Sequence, residues 1–594
     1  MNYSEELLAS IFWILKAIGI TAVVFSLMVW ILVKTTRWAH QFWSLGKDYL
    51  SPKRSAKPLV YFIVIVFFNL LSVRLDILFS NWYKAMYDAL QKMDENVFWL
   101  QMMVFSVLAV IHISNILLTY YLTQRFTIQW RTWLNENMVE KWMTQQAYYK
   151  SQYVYNQLDN PDQRIQQDVQ SYVSSSISFA TGVISSVVSI VAFTLILWNL
   201  AGPMNIAGVT VPHAMVFLVF IYVLITSIFA FRIGRPLIHL NFLNERLNAN
   251  YRYSLIRVKE YAESIAFFRG EKMEKNVLYK QFGYVIDNVW KMVYMTLKLS
   301  GFNVMMTQIS VIFPFIIQAA RYFSKQIQLG DLIQTAQSFG RVQSALSYFR
   351  NVYDEFTGYR AVLDRLTGFH SAVSQATQVS HVVLKDSESA VVFERLFVKK
   401  PTGEVLIKDL NLNLPQGSSM LIKGASGSGK TTLLRTAAGL WSFSEGTVHC
   451  PQHHALFLSQ KPYLPQGRLI DALYYPEVTP ADADLAAAAD TLREVQLGHL
   501  ADKLEQENDW MRTLSLGEQQ RLSFARLLIH KPIVAFLDEA TASMDEGLED
   551  AMYRLLRARL PRTTIISVGH RSTLRTHHDK QLIINAQDQS WQFC

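Results

Sequence analysis

The sequence of 594 residues predicts a polytopic α-helical membrane domain fused to an α/β phosphate-loop domain. Three observations carry that reading. Apolar stretches long enough to cross a hydrocarbon core of about 30 Å, which takes about 20 helical residues, recur only in the first 350 positions. Beyond residue 388, short Val/Ile/Leu strands alternate with Ala/Leu/Arg helices, as in a mostly parallel sheet. Composition agrees: 51% hydrophobic, 13% aromatic and 17% charged residues, with mean hydropathy +0.14, exclude a disordered chain.

The elements follow in chain order. Met1 to Ser10 holds Glu5 and Glu6 and no basic residue, and the apolar run after it is too long for a signal-peptide core, so no cleavable leader is expected. Spans are expected at about 11–33, 58–79, 99–122, 173–200, 212–232 and 300–320. The loop after the first carries Lys34, Arg37, Lys47, Lys53, Arg54 and Lys57 against Asp48 alone, which places it in the cytoplasm. By parity 123–172 (Arg125, Arg131, Lys141, Lys150, Arg164) and 233–299, with eleven Lys and Arg, fall inside, and the uncharged 201–211 falls outside.

A chain that is outside after residue 320 needs one more crossing to place the α/β half in the cytoplasm. The candidate is 330–350, flecked with Gln334, Gln337, Ser338, Arg341 and Gln343, a helix that should face a cavity or a partner rather than lipid. Lys16 and Arg321 read as snorkelling groups, Arg74 and Asp76 as candidates to line a cavity, and Trp82, Tyr83, Tyr87, Phe98 and Trp99 as an interfacial aromatic belt. The stretch 371–388, small and polar, reads as a linker, and 389–594 as one domain.

Net charge is +9 with pI near 9.2, but the basic residues concentrate in membrane-flanking loops, which argues against a nucleic-acid partner. Cys450 and Cys594 cannot build a disulfide framework or a cysteine metal site, which fits a reducing compartment.

The strongest chemical signal is Gly424, Ala425, Ser426, Gly427, Ser428, Gly429, Lys430, Thr431 and Thr432, between the strand-like Met420–Lys423 and a helix-like run. This is G-x-x-x-x-G-K-[ST] in strand–loop–helix context: glycines let backbone N–H groups wrap phosphates, Lys430 reaches the β and γ phosphates, and Thr431 ligates Mg²⁺. Downstream, Ile533–Leu537 is a buried strand ending in Asp538 and Glu539, which puts two carboxylates at the sheet's carboxyl edge. Asp538 is expected to hold Mg²⁺ through water, and Glu539 to polarise the water that attacks the γ-phosphate.

Between them lies Leu514-Ser515-Leu516-Gly517-Glu518-Gln519-Gln520-Arg521, and here the chain resembles the ATP-binding cassette (ABC) family, whose signature is LSGGQ. Leu516 and Glu518 depart from it. The resemblance implies ATP and Mg²⁺ as cofactors, and a second cassette whose Ser515, Gly517 and Glu518 region would meet the γ-phosphate held by the first. At matching positions, Gln460 resembles the glutamine that senses Mg²⁺ and the membrane domain, Asp545 the dimer-interface aspartate and His570 the switch histidine. Lys399 and Lys400 stand where an adenine-stacking aromatic is expected, with Phe397 nearby.

In the two basic loops, Asn160–Asp168 and Glu260–Gly270, together with Ser459–Pro465, look like bacterial YddA-type ABC proteins, relatives of the SbmA/BacA peptide permeases and of peroxisomal fatty-acyl (ABCD) half-transporters. That resemblance implies 1–57 as an extra N-terminal helix with its basic loop, 58–370 as an exporter-like six-span core, and 389–594 as the nucleotide-binding domain. It also implies a homodimer in a bacterial inner membrane, moving a solute of peptide, cobalamin-like or acyl type. Asp162, Gln163, Arg164 and Glu263 would then couple or brace the loops. A proton-driven permease, with Glu263 or Asp76 as carrier and ATP only regulatory, and a membrane-tethered sensing ATPase stand as alternatives.

Overall fold

The computed structural model describes residues 3–154, 161–202, 204–206, 209–378, 382–388 and 390–594. The chain divides into two compact units, residues 1–138 with 160–368, and residues 139–159 with 369–594. The helices in order are α1 (Tyr3–Thr35), α2 (Arg37–Leu50), α3 (Lys57–Gln91), α4 (Glu95–Met143), α5 (Ala147–Val154), α6 (Pro161–Gln163), α7 (Val169–Leu200), α8 (Ala214–Glu260), α9 (Ala262–Phe268), α10 (Glu271–Phe323), α11 (Leu329–Asn351) and α12 (Tyr353–Gln378). A hairpin, β1 (Met204–Ile206) and β2 (Val209–Val211), joins α7 to α8.

Among the described residues, six helical stretches are long and apolar enough to cross a membrane: Leu8–Thr35, Lys57–Gln91, Glu95–Tyr153, Pro161–Leu200, Ala214–Glu260 and Glu271–Phe323. Five of them contain an expected span whole and the fifth in the chain covers its span from residue 214 on, and each runs past its span at one end or both. At 1.5 Å per residue, α8 with 47 residues and α10 with 53 reach about 70 and 80 Å. A hydrocarbon core of about 30 Å covers less than half of that, so their polar, Lys/Arg-rich parts are helical stalks rather than loops.

The polar-flecked stretch forms α11, which packs against α3, α7, α8 and α10 with Gln334, Thr335 and Ser338 buried. Several of its polar groups find partners on α3 and α10. The Gly330 amide donates to Asp88 Oδ1 (2.9 Å), Asp331 pairs with Lys84 (2.7 Å), Gln334 donates to Asn81 (2.9 Å), Arg341 pairs with Asp76 (2.7 Å), and Ser310 donates to Gln343 (3.1 Å). This is how a helix with an arginine and glutamines sits among apolar neighbours.

Several membrane-side expectations change. Arg74 is buried, donates to Ser10 Oγ (3.0 Å) and pairs with Glu6 (3.7 Å), so it fastens α1 to α3 instead of lining a cavity. Arg321 bonds the Leu200 carbonyl (3.3 Å) and Gln318 (3.0 Å) rather than snorkelling. Trp82 is buried with its indole N–H on the Gln101 carbonyl (2.7 Å), a packing role rather than an exposed belt, whereas Trp99 is exposed.

Arg164 and Asp168 bound a single π-helical turn at the entry to α7, and Asp168 accepts from Arg164 (2.7 Å) and from Arg365 of α12 (2.6 and 2.9 Å). Arg164 is therefore a brace. Removing one member of such a buried cluster strands the others, at a cost of about 3–5 kcal/mol. Asp168→Asn is expected to lower the melting temperature of the purified protein by several degrees, and an unchanged melting curve would remove the brace from the account. Asp162 and Glu263 are exposed, Gln163 donates to Gln167 (3.0 Å), and Asn160 lies outside the described residues.

In the second unit the stretch read as a linker is structured: α12 continues to Gln378, and β3 (Val382–Asp386) pairs in parallel with β7 (Ser444–Cys450). The reason is tertiary, since β3 is completed by a strand some 60 residues away. The remaining elements are β4 (Val391–Lys399), β5 (Val405–Leu414), β6 (Ser419–Gly424), α13 (Lys430–Ala437), β8 (Ala455–Leu458), β9 (Gly467–Arg468), α14 (Leu469–Tyr474), α15 (Leu485–Glu494), β10 (Glu507–Asn508), α16 (Trp510–Thr513), α17 (Leu516–His530), β11 (Val534–Asp538), α18 (Glu546–Arg559), β12 (Thr564–Val568), β13 (Lys580–Ile584) and β14 (Trp591–Phe593).

One sheet runs β14-β13-β6-β12-β11-β8, parallel except for β14, and a second runs β3-β7-β4-β5. One apolar core, including Val391, Leu410, Ile422, Leu433 and Phe536, unites strands of both sheets with α13, and another includes Leu421, Leu473, Trp510, Phe524 and Leu537. α5 belongs to this unit, with Tyr153 packed edge-on against Trp441 at 5.0 Å, just beyond α13. Of the described loop residues, 139–154 group with this unit, and Asp162–Arg164 do not.

His578 is buried between the Leu574 carbonyl (Nδ1, 2.7 Å) and the Ser567 hydroxyl (Nε2, 2.8 Å). In the neutral ring Nδ1–H donates to the carbonyl and Nε2 accepts from the Ser567 hydroxyl, which in turn accepts from Tyr553 (3.1 Å). Burial pulls its pKa down to about 4 from 6.5, chiefly by desolvation. A depressed folded-state pKa contributes stability that is complete above pH 6.5 and is lost as pH falls towards 4, by up to about 1.4 kcal/mol per pH unit. Denaturant titrations at pH 7 and pH 5 should show this loss, and His578→Gln should flatten it.

Candidate nucleotide-binding site

β6, β12, β11 and β8 are parallel neighbours, so their carboxyl ends share one sheet edge, where ligands of open α/β sheets bind. The phosphate loop leaves β6 there. Gly427 (φ 80°) and Gly429 (φ 97°) take left-handed conformations, and a Cβ at Gly424 would strike the Ile584 carbonyl oxygen, so the backbone itself forms the cradle. Ala425, Ser426 and Ser428 complete the turn, and Lys430, Thr431 and Thr432 open α13 with their N–H groups at its positive end. Lys430 Nζ donates to the carbonyls of Gly424 and Ala425 (both 2.9 Å). Burial holds its ammonium below the ordinary lysine range against the opposing pull of Glu539 and Asp538.

β11 ends at Asp538, which accepts from Thr431 Oγ1 (3.1 Å). Burial raises its carboxyl above the ordinary aspartate range, with Glu539 adding to the rise and Thr431, Arg435 and Lys430 opposing it. Glu539 is held in the left-handed region at φ 51°, a backbone cost of about 1–3 kcal/mol that concentrates at functional sites. Its amide donates to the Val568 carbonyl (3.0 Å), and its two carboxylate oxygens face Gln460 Nε2 (2.9 Å) and His570 Nε2 (3.4 Å). Glu539, Gln460 and His570 come from three different strand ends and meet at one carboxylate.

The residues fit the groups that the motif implies. The glycine cradle and a buried Ser428 hydroxyl without a partner among the described residues suit a polyphosphate. The Thr431 hydroxyl, the Asp538 carboxylate and the Gln460 amide are hard oxygen donors suited to Mg²⁺. Among the described residues no cluster of His, Cys, Asp and Glu could hold a metal alone, as expected for a cation bound through one or two side chains, phosphates and water.

Two family models match the chain, ABC transporter transmembrane region 2 over residues 45–323 and ABC transporter over residues 407–542. An uncharacterized ABC transporter ATP-binding protein of Haemophilus influenzae is 58% identical over 592 residues, covering 100% of both chains. The chain belongs to the ABC transporter family. It is a half-transporter, with one membrane region and one ATP-binding cassette. The Escherichia coli inner membrane ABC transporter ATP-binding protein YddA is 28% identical over 526 residues (87% of this chain, 92% of YddA), and D-subfamily members from plants and animals align too. A bacterial Atm1-family ABC exporter solved with ATP bound superposes with a TM-score of 0.67 over 89% of this chain and 94% of its own; at 17% identity this shows the fold.

Within the cassette the signature residues stand apart from the phosphate loop. Ser515 caps α17 in a capping box with Glu518: the Ser515 amide and hydroxyl both donate to Glu518 Oε2 (2.9 and 2.7 Å). Glu518 in place of glutamine thus supplies the reciprocal cap, and its other oxygen faces His499 (3.1 Å). A Cβ at Gly517 would be tight, 3.1 Å from the Ser543 carbonyl oxygen. Asp545 caps α18 by accepting from the Leu548 amide (2.8 Å). Among the described residues, no hydrogen bond or ion pair joins Ser515, Gly517, Glu518 or Asp545 to the phosphate loop. Lys399 and Lys400 are paired with Glu445 (2.7 Å) and Glu404 (2.9 Å), and Phe397 is half-buried on β4.

Sequence reading passed over Gln520. It is fully buried, donates to the Gln460 carbonyl (2.9 Å) and accepts from the Ser543 amide (3.0 Å). One side chain therefore ties the signature helix to the segment carrying Gln460 and to the turn after Glu539. The helix around it also buries Gln519, Ser523 and Arg526, so no sequence signal set Gln520 apart. Gln520→Leu keeps the volume but removes two part-buried hydrogen bonds to backbone groups, each worth about 0.5–1.5 kcal/mol. ATP turnover is expected to fall about tenfold or more with nucleotide affinity nearly unchanged; a kcat equal to wild type would contradict this.

Proposed function

We propose that two copies of this chain form a homodimeric transporter in a bacterial inner membrane that couples ATP hydrolysis to movement of a solute of peptide, cobalamin-like or acyl type. The observation that carries the reading is the convergence of Gln460 and His570 on Glu539, beside Thr431 and Asp538. In the reaction, the phosphate loop and Lys430 bind and orient the triphosphate, with charge-assisted hydrogen bonds at the transferring phosphoryl group. Mg²⁺, held by Thr431 and Asp538 with Gln460 beside it, would neutralise phosphate charge. Glu539 accepts a hydrogen bond from the attacking water, and Gln460 and His570 fix the direction of its carboxylate.

The dimer follows from the separation of the two halves of the site: the capped N-terminus of α17 and the phosphate loop do not meet within one chain, and each completes the other's site across a pair. The face of α11 carrying the half-buried Gln337 and the exposed Arg341 and Ser344 supports a solute with polar groups.

Mixed dimers test the arrangement. With Lys430→Met in one copy and Ser515→Arg in the other, one composite site stays intact and roughly half the wild-type ATPase is expected. With both changes in one copy beside a wild-type partner, both sites are broken and activity is lost. The reverse pattern would mean that each chain carries a complete site of its own.

A further inference from the structure

The extra helix α1 does not seat closely on the bundle along its second half. It leaves two adjoining cavities of about 380 and 540 Å³, which share Phe25, Val29, Val33, Phe42, Ser176 and Ala180. Each lies within the size range of ligand sites. The walls ask for an apolar occupant: even the Ser176 hydroxyl is engaged, by the Tyr172 carbonyl (2.5 Å) and the Tyr359 hydroxyl (2.7 Å). Among the described residues, the one charged side chain lining either cavity is Lys34, at the end of α1. It is exposed, stands over the Trp30 ring at 4.2 Å, and has no carboxylate within ion-pair distance among the described residues.

Arg37, three residues on, is 88% exposed in its side chain and reaches Asp364 at only 3.8 Å. The same loop carries Lys47, Lys53 and Arg54, with Asp48 as its only acid. Positive-inside bias puts this mouth at the cytoplasmic face, where membrane lipids carry negative charge.

An apolar double cleft with a cationic mouth matches an amphiphile that has long acyl chains and an anionic head. We propose that the cleft between α1 and the bundle binds an anionic phospholipid of the cytoplasmic leaflet, its chains lying along Phe25, Val29, Val33 and Ala180 and its phosphate on Lys34 and Arg37. The chains supply contacts that α1 lacks on this side, since a wall facing a void loses its dispersion partners. An apolar solute or a protein helix would leave the cations at the mouth without a role.

The test uses the full-length protein in phosphatidylcholine nanodiscs doped with phosphatidylglycerol or phosphatidylcholine bearing a photoreactive group in one acyl chain. After illumination and digestion, labelled peptides are mapped. Label should concentrate on the peptides containing residues 25–33 and 176–184, with phosphatidylglycerol exceeding phosphatidylcholine about fivefold. Lys34→Glu should abolish that preference. Ala180→Trp, which fills the shared wall, should remove the label from both peptides. Val29→Trp fills the same space from the opposite side and stands in should the first variant fail to elute as a folded protein. Label spread over α8 and α10 without focus here, or equal labelling by the two headgroups, would overturn the proposal.

Discussion

Exchanging Glu539 for glutamine is expected to slow ATP turnover by about 10²–10⁴-fold, the range for loss of a positioned general base, while nucleotide still binds. The change is nearly isosteric, and the phosphate-binding groups, Lys430 and the glycine cradle, are elsewhere. Glutamine can still accept from Gln460 through its amide oxygen. It cannot take a proton from water, and it removes the charge that faces His570 at 3.4 Å. Steady-state phosphate release against fluorescent-nucleotide affinity separates the two effects. A variant that binds ATP and hydrolyses it at the wild-type rate would mean that the water is activated by another group.

Replacing Lys430 by Met is expected to act on the other axis and weaken ATP binding itself. The ammonium is buried and directed by two loop carbonyls at 2.9 Å, so it is already placed over the phosphate cradle. Charge-assisted hydrogen bonds are worth about 1.5–3 kcal/mol each. Two of them set an expected loss of about 10²-fold or more, at 1.4 kcal/mol per tenfold. The methionine stem preserves the packing of α13, so the melting temperature without nucleotide should stay close to wild type, while the rise that ATP confers on wild type disappears. An unchanged affinity would place the phosphates away from this loop.

The candidate nucleotide site was legible because its parts are local and ordered. A glycine loop between a strand and a helix, and a strand closing on Asp538 and Glu539, each occupy fewer than ten residues, and sheet topology alone brings them to one edge. Gln460 and His570 were legible by order along the chain, and the structure adds the reason: both are ligands of one carboxylate. Gln520 was opaque, since its function is to bond two backbone groups from segments 60 and 23 residues away, and nothing in a helical pattern marks that.

The same contrast holds for the membrane half. Hydropathy located six spans, because each long apolar run can be satisfied in lipid only as a helix. It did not show that α8 and α10 continue as long stalks, because the water-exposed turns of a helix carry no apolar signature. Nor did it show that Arg74 anchors α1, which depends on Glu6 and Ser10, more than sixty residues earlier. The 371–388 stretch misled for a related reason: small polar residues suit a linker, yet β3 is held by its partner strand β7 and α12 by burial of Ala372, Val373 and Ala376.

The most direct test of the central claim is flux in proteoliposomes containing labelled peptides, cobalamin and acyl-CoA, with ATP supplied only outside so that only outward-facing cassettes work, and with Glu539→Gln as the control. The account predicts ATP-dependent movement of one of these solutes with wild type and none with the variant. Movement that is driven by a proton gradient and survives in Glu539→Gln would contradict it.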